Sequence, residues 1–169
     1  MTAEPAHRIA VLVDVQNIYY TVREKFAASF DYNAFWAELS QLGEIVVANA
    51  YATDRGDEKQ RQFQNILRAI GFNVKLKPYI QRSDGSTKGD WDVGITIDAI
   101  DCASDIDTLV LLSGDGDFTE MVDYVRKKHN ISVVVFGVEG HTAATLIQHV
   151  NEFRPIDDHL LLPSKYRAS

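Results

Sequence analysis

Ser113-Gly114-Asp115-Gly116-Asp117-Phe118 follows directly on the apolar run Thr108 to Leu112, so two carboxylates stand where a buried strand is expected to end. About 4 Å apart at an effective dielectric near 20, two such charges repel by roughly 4 kcal/mol. A divalent cation, a helix N-terminus or a bound proton would offset that repulsion. Other acids occupy comparable junctions: Asp14 ends the apolar run Arg8 to Val13 and is followed by Asn17, while Asp90 and Asp92 open a helical stretch after Lys88-Gly89. Carboxylates without a cysteine nucleophile or a histidine pair at ligand spacing suit hard cations with oxygen ligands. That means Mg2+ or Mn2+, and with them phosphoryl chemistry in which a metal-activated water attacks phosphorus.

Each acid also has a simpler reading. Asp117-Phe118-Thr119-Glu120 fits a capping box, which would explain Asp117 by itself. Capping leaves Asp115 unexplained, and Gly114 and Gly116 would let a ligand approach the backbone and permit unusual dihedrals. Asn17 either caps a helix or holds a water or an oxyanion. Asp90 serves as a helix cap and Asp92 as a first-turn charge if neither binds metal. Asp98 lies about 240° around the helix from Asp92 and should not share its face. Lys75, Lys77, Arg82 and Lys88 form either a phosphate contact or an ordinary solvated face. Tyr19, Tyr20, Phe35 and Trp36 read as core rather than as a base-stacking platform, whereas Trp91 suits either role.

The elements that must position these residues alternate. Strands are expected at Arg8 to Val13, Ile45 to Tyr51, Val74 to Tyr79, Thr108 to Leu112, Ile131 to Gly137 and Glu152 to Ile156, with Val74 to Tyr79 closer to a sheet edge. Helices are expected at Tyr19 to Phe26, from the cap Asp31 to the stop Gly43, from Asp57 to Gly71, and over Trp91 to Ala103, Phe118 to His129 and Thr142 to Val150. Gln81 to Gly89 reads as loop. The alternation predicts an α/β fold with three α/β/α layers around a mostly parallel, Rossmann-like sheet, whose ligands bind beyond the carboxyl ends of the strands. Asp14, Asp115 and Asp117 all fall at that rim.

At 169 residues and 46% hydrophobic, with no composition break, the chain suits one domain over residues 8–157, between tails at 1–7 and 158–169. No run is apolar and long enough to span a membrane, and no secretory leader is evident, so a cytoplasmic protein is expected. Cys102 is the only cysteine, which excludes an intrachain disulfide and a cysteine zinc site. The net charge of −7 argues against a passive nucleic-acid binder but not against an enzyme whose site concentrates carboxylates. A haloacid-dehalogenase type of phosphatase would need a second acid where Gln16 stands, and no Walker-type phosphate loop is present.

Taken together and in this order, Asp14-x-x-Asn17, Lys88-Gly89-x-x-Asp92-Val93 and Ser113-Gly114-Asp115-Gly116-Asp117-Phe118 resemble the NYN domain family, in particular its LabA-like branch. The resemblance runs from about Arg8 to Ile156. It implies a PIN-like fold and a metal-dependent ribonuclease, with Asp14, Asp92, Asp115 and Asp117 as the acidic cluster, Asn17 and Ser113 in or beside it, and RNA as substrate. Lys88 would screen phosphate. The residues Asp90 and Trp91 leave open which aspartate faces the metal. The competing expectation is a catalytically silent module that binds RNA or a regulatory protein partner, alone or as a homo-oligomer.

Overall fold

Arg8–Asp14 forms β1, and Ile9, Ala10, Val11, Leu12 and Val13 within it are all fully buried, as a central strand covered on both faces requires. The computed structural model describes residues 6–78, 80–81, 87–88 and 90–163. After β1 come α1 (Val15–Phe26), α2 (Tyr32–Leu42), β2 (Glu44–Asp54), α3 (Glu58–Ile70) and β3 (Asn73–Pro78). Two short strands, β4 (Ile80–Gln81) and β5 (Thr87–Lys88), pair antiparallel by themselves. The chain continues through α4 (Asp92–Cys102), β6 (Thr108–Leu112), α5 (Thr119–His129), β7 (Ser132–Gly137), α6 (Ala144–His149) and β8 (Glu152–Pro155).

The main sheet has the order β3-β2-β1-β6-β7-β8, and every neighbouring pair is parallel. The chain therefore winds outward from β1 in one direction, then returns to β1's other edge and winds the opposite way. The period of two along β1 and β6 sorts their side chains into two cores. Ile9, Val11, Val13, Val110 and Leu112 pack against Ile18, Phe35, Leu39 and Leu67 of α1, α2 and α3. Ala10, Leu12, Leu109 and Leu111 pack against Ile95, Ala99, Val122 and Leu146 of α4, α5 and α6. This is the expected three-layer α/β/α architecture, with β3 at an edge.

Several boundaries differ from expectation for local reasons. The first helix starts at Val15 rather than Tyr19, because the Asp14 carboxylate accepts from the Asn17 N–H and caps it at once; the polar pair Gln16-Asn17 hides that turn from the apolar pattern. Tyr19 and Tyr20 are each 52% exposed, so of the four aromatics expected in the core only Phe35 and Trp36 are there. The last helix starts at Ala144 rather than Thr142, since Thr142 and Ala143 brace the loop after β6. The segment expected to be loop includes β4 and β5; Arg82 and the side chain of Lys88 lie outside the described residues. Among the described residues no helix is long and apolar enough to cross a membrane.

Beyond residue 157 the chain is still packed. Leu160 and Leu161 are buried in the first core, Leu161 bridges Phe30, and the Leu160 carbonyl accepts from the Asp31 N–H at 2.8 Å. Two buried leucines are worth about 3–6 kcal/mol on folding. A chain ending at Asp157 should therefore melt well below the 169-residue chain in a calorimetric scan, by roughly 10 °C. Equal melting temperatures would show that these contacts contribute nothing.

Candidate metal centre

The crevice where the winding reverses lies between the carboxyl ends of β1 and β6, the place where open parallel sheets bind ligands. Val13 pairs with Leu112, so Asp14 and Ser113 leave the sheet side by side. Asp14 is 9% exposed and Ser113 fully buried. The Ser113 hydroxyl donates to Asp14 Oδ2 at 3.1 Å and accepts from the Asp115 N–H at 3.2 Å, so one hydroxyl sets the spacing of two acids. Asn17 does not cap α1; its Oδ1 accepts from the Gly114 N–H at 2.9 Å and ties the two loops together.

The loop after β6 departs from its capping-box reading. Asp115, not Asp117, caps the short 3-10 turn Gly116–Phe118, with its Oδ1 accepting from the Asp117 N–H at 2.9 Å. The glycines answer to packing rather than to unusual dihedrals, since neither has a positive φ. A Cβ on Gly114 would lie 2.5 Å from the His141 carbonyl oxygen, and one on Gly116 would lie 2.8 Å from the Ala143 Cβ. Chain segment 141–143 occupies that space, and the Ala143 N–H donates to the Gly114 carbonyl at 3.0 Å.

Asp92 enters from the start of α4, and Trp91 fixes that start. The indole N–H donates to the Ala52 carbonyl at 2.9 Å, the ring packs on Tyr51 with centroids 5.3 Å apart, and the Lys77 ammonium sits 4.5 Å over the ring. Gly94 is small because Trp91 lies on it: a Cβ there would be 2.6 Å from the indole. Asp90 stays exposed at the entry, where its carboxylate accepts from the Asp92 N–H at 3.4 Å and its carbonyl accepts from Lys77. Of the two roles the sequence left open for Trp91, the structure takes packing against the second core, which makes it the anchor of α4. The available signal was Gly94 three residues on, one helical turn away on the same face.

One carboxylate oxygen from each of Asp14, Asp92 and Asp115 lies within 4.8 Å of the others. Asp117 is exposed and stands outside this group, as does Asp90. Asp98 lies elsewhere, holding the Tyr51 hydroxyl and the Lys75 ammonium, each at 2.7 Å. Lys75 and Lys77 thus have structural partners. Desolvation pushes the Asp14 carboxyl up to about 6, against the pull of its hydrogen bonds from Ser113 and Asn17, and the charges of Asp115 and Asp90 add to the rise. Desolvation likewise raises Asp92 to about 7, followed by the charge of Asp115, a hydrogen bond between those two carboxyls, and the charges of Asp90 and Asp14. Acids that repel one another at this spacing, all offering hard oxygen, fit a divalent cation.

The NYN domain model matches residues 8–157 of the chain. The chain is 27% identical over 159 residues to the low amplitude and bright protein LabA of Synechococcus elongatus, covering 89% of this chain and 84% of that protein. It is 54% identical to a Vibrio parahaemolyticus protein of unknown function with a crystal structure, covering 96% of this chain and 100% of that one, with a TM-score of 0.91.

The raised carboxyls make the metal-free fold sensitive to pH in a definite direction. The folded chain holds these protons more tightly than the unfolded chain, so their stabilisation is complete below the ordinary value of 3.8 and is lost as pH rises through about 6 for Asp14 and about 7 for Asp92. For the buried Asp14 the full change is roughly 3 kcal/mol. In EDTA the melting temperature should fall from pH 5 to pH 8, Asp92→Asn should remove the part of the fall near pH 7 and leave the part near pH 6 that Asp14 carries, and Mn2+ should restore stability at pH 8. A melting temperature that falls equally in wild type and Asp92→Asn would contradict the assignment of the strain to this cluster.

Proposed function

The chain belongs to the NYN domain family, and from that membership we propose that it is a Mg2+- or Mn2+-dependent ribonuclease that hydrolyses phosphodiester bonds of RNA. The observation that carries the reading is the convergence of Asp14, Asp92 and Asp115 within 4.8 Å at the crevice where the sheet reverses its winding. These three would hold the cation, which when bound supplies a positive charge against which a water is activated and negative charge on the scissile phosphate is stabilised. The family membership supports RNA as the substrate.

The remaining residues have distinct parts. Ser113 is a positioning residue: it orients Asp14 through its proton and Asp115 through its lone pair. Asn17 holds the Gly114 backbone and with it the path of the β6 loop. Asp117 and Asp90, exposed at the rim, would add negative potential that draws the cation without ligating it. Lys88, at the end of β5, is the proposed phosphate contact.

Purified protein should cut single-stranded RNA with Mg2+ or Mn2+ and not in EDTA. Asp115→Asn should lower the rate by on the order of 10²–10³-fold or more. Ser113→Ala should lower it by about 10-fold, the cost of a lost hydrogen bond, and Asp117→Asn by less. RNA that stays intact with either metal, together with Mn2+ affinity unchanged by Asp115→Asn, would overturn the nuclease reading and favour a silent RNA- or partner-binding module.

A further inference from the structure

Beside the acid cluster, on the face of the sheet covered by α1, α2 and α3, lies a groove of about 740 Å³, within the size range of ligand sites. Its near end is set by Val15 and Gln16, the residues directly after Asp14. Tyr19 and Tyr20 of α1 and Phe63 of α3 contribute aromatic walls. Tyr19 and Tyr20 are each 52% exposed, so their rings are open to a ligand in the groove. Arg23 lies over the Tyr19 ring and donates to its hydroxyl, so one wall carries a cation; Lys59 contributes another. Asp57 also lines the groove, but its carboxylate caps α3 by accepting from the Lys59 N–H.

Gln64 provides the independent clue. Its residue surface is 4% exposed, it lines the groove, and its carboxamide has no hydrogen-bond partner among the described residues. The amide atoms keep some solvent contact at the groove, so donor and acceptor are both open to a ligand there. A carboxamide carries both a donor and an acceptor and so matches the edge of a planar heterocycle. Aromatic walls, one amide without a protein partner and cations at the margin form a combination suited to a nucleobase with its phosphate outside.

We infer that this groove takes an unpaired base of a single RNA strand whose backbone runs on to the acid cluster. A base held in a helical duplex is stacked and cannot enter a concave aromatic slot, so the groove selects single strands over duplexes. The inference rests on the ribonuclease reading for the identity of the strand, but base binding does not require turnover.

The test is fluorescence anisotropy in EDTA with a short fluorescein-labelled RNA of mixed sequence, the same strand with its bases removed, the corresponding duplex, and an unlabelled mononucleotide as competitor. Wild type should bind the intact single strand and discriminate against the abasic strand and the duplex. Tyr19→Ala and Tyr20→Ala change exposed positions, and at least one should weaken binding by about 5- to 150-fold, the range for one lost base stack. Gln64→Leu should weaken it too, while calorimetric Mn2+ binding stays as in wild type. Undetectable strand binding, equal binding of abasic or duplex RNA, or wild-type affinity in both tyrosine variants overturns the inference. A mononucleotide that competes as well as the strand overturns the strand assignment. If the tyrosine variants lose binding but wild type never cuts RNA with Mg2+ or Mn2+, the nuclease reading fails and the base groove stands.

Discussion

The pairing of β1 with β6 is the constraint on which the rest depends. Both strands are buried on both faces, and their register brings Asp14 and Ser113 to the same level at the sheet's carboxyl edge. A slip of one residue would turn every side chain of β6 to the wrong core and move Ser113 away from Asp14. The Ser113 hydroxyl converts strand register into acid spacing: it touches Asp14 on one side and the Asp115 backbone on the other. Asn17 repeats the connection one step further out by taking the Gly114 N–H.

Against this framework the acids are in conflict with one another. Burial and mutual repulsion raise Asp14 and Asp92, so the scaffold holds charges that would separate if the loops were free. The scaffold resists through contacts remote from the acids in sequence. Trp91 is pinned to the end of β2 by its indole N–H, and residues 141–143 press on the glycines of the β6 loop. Strain of this kind, held in place by surrounding structure, is common at functional sites.

Much of this was legible in the sequence. An acid that ends an apolar run, as Asp14 and Asp115 do, reports both the strand and the rim. The alternation of strand and helix reports the parallel layers. What was not legible depends on partners far along the chain. Asp90 and Asp92 are equivalent as letters at a helix entry, and only the anchorage of Trp91 on Ala52 turns Asp92 inward. Gly114 and Gly116 suggest space for a ligand, yet that space belongs to chain arriving after β7. Tyr19 and Tyr20 read as core because nothing local marks them as standing over a groove. Asp117 fits a capping box by pattern, but Asp115 is the residue that caps the turn.

The two halves of the acid centre are also separated in time. Asp14 and Ser113 lie 99 residues apart, and β2 and β3 extend the sheet on one side of β1 before β6 exists to cover the other. Until β6 pairs, the second edge of β1 is an open strand edge, the kind that invites mispairing. Pairings of such long range are slow to form. A chain in which β1 and β6 have not yet paired therefore carries the acids without the centre.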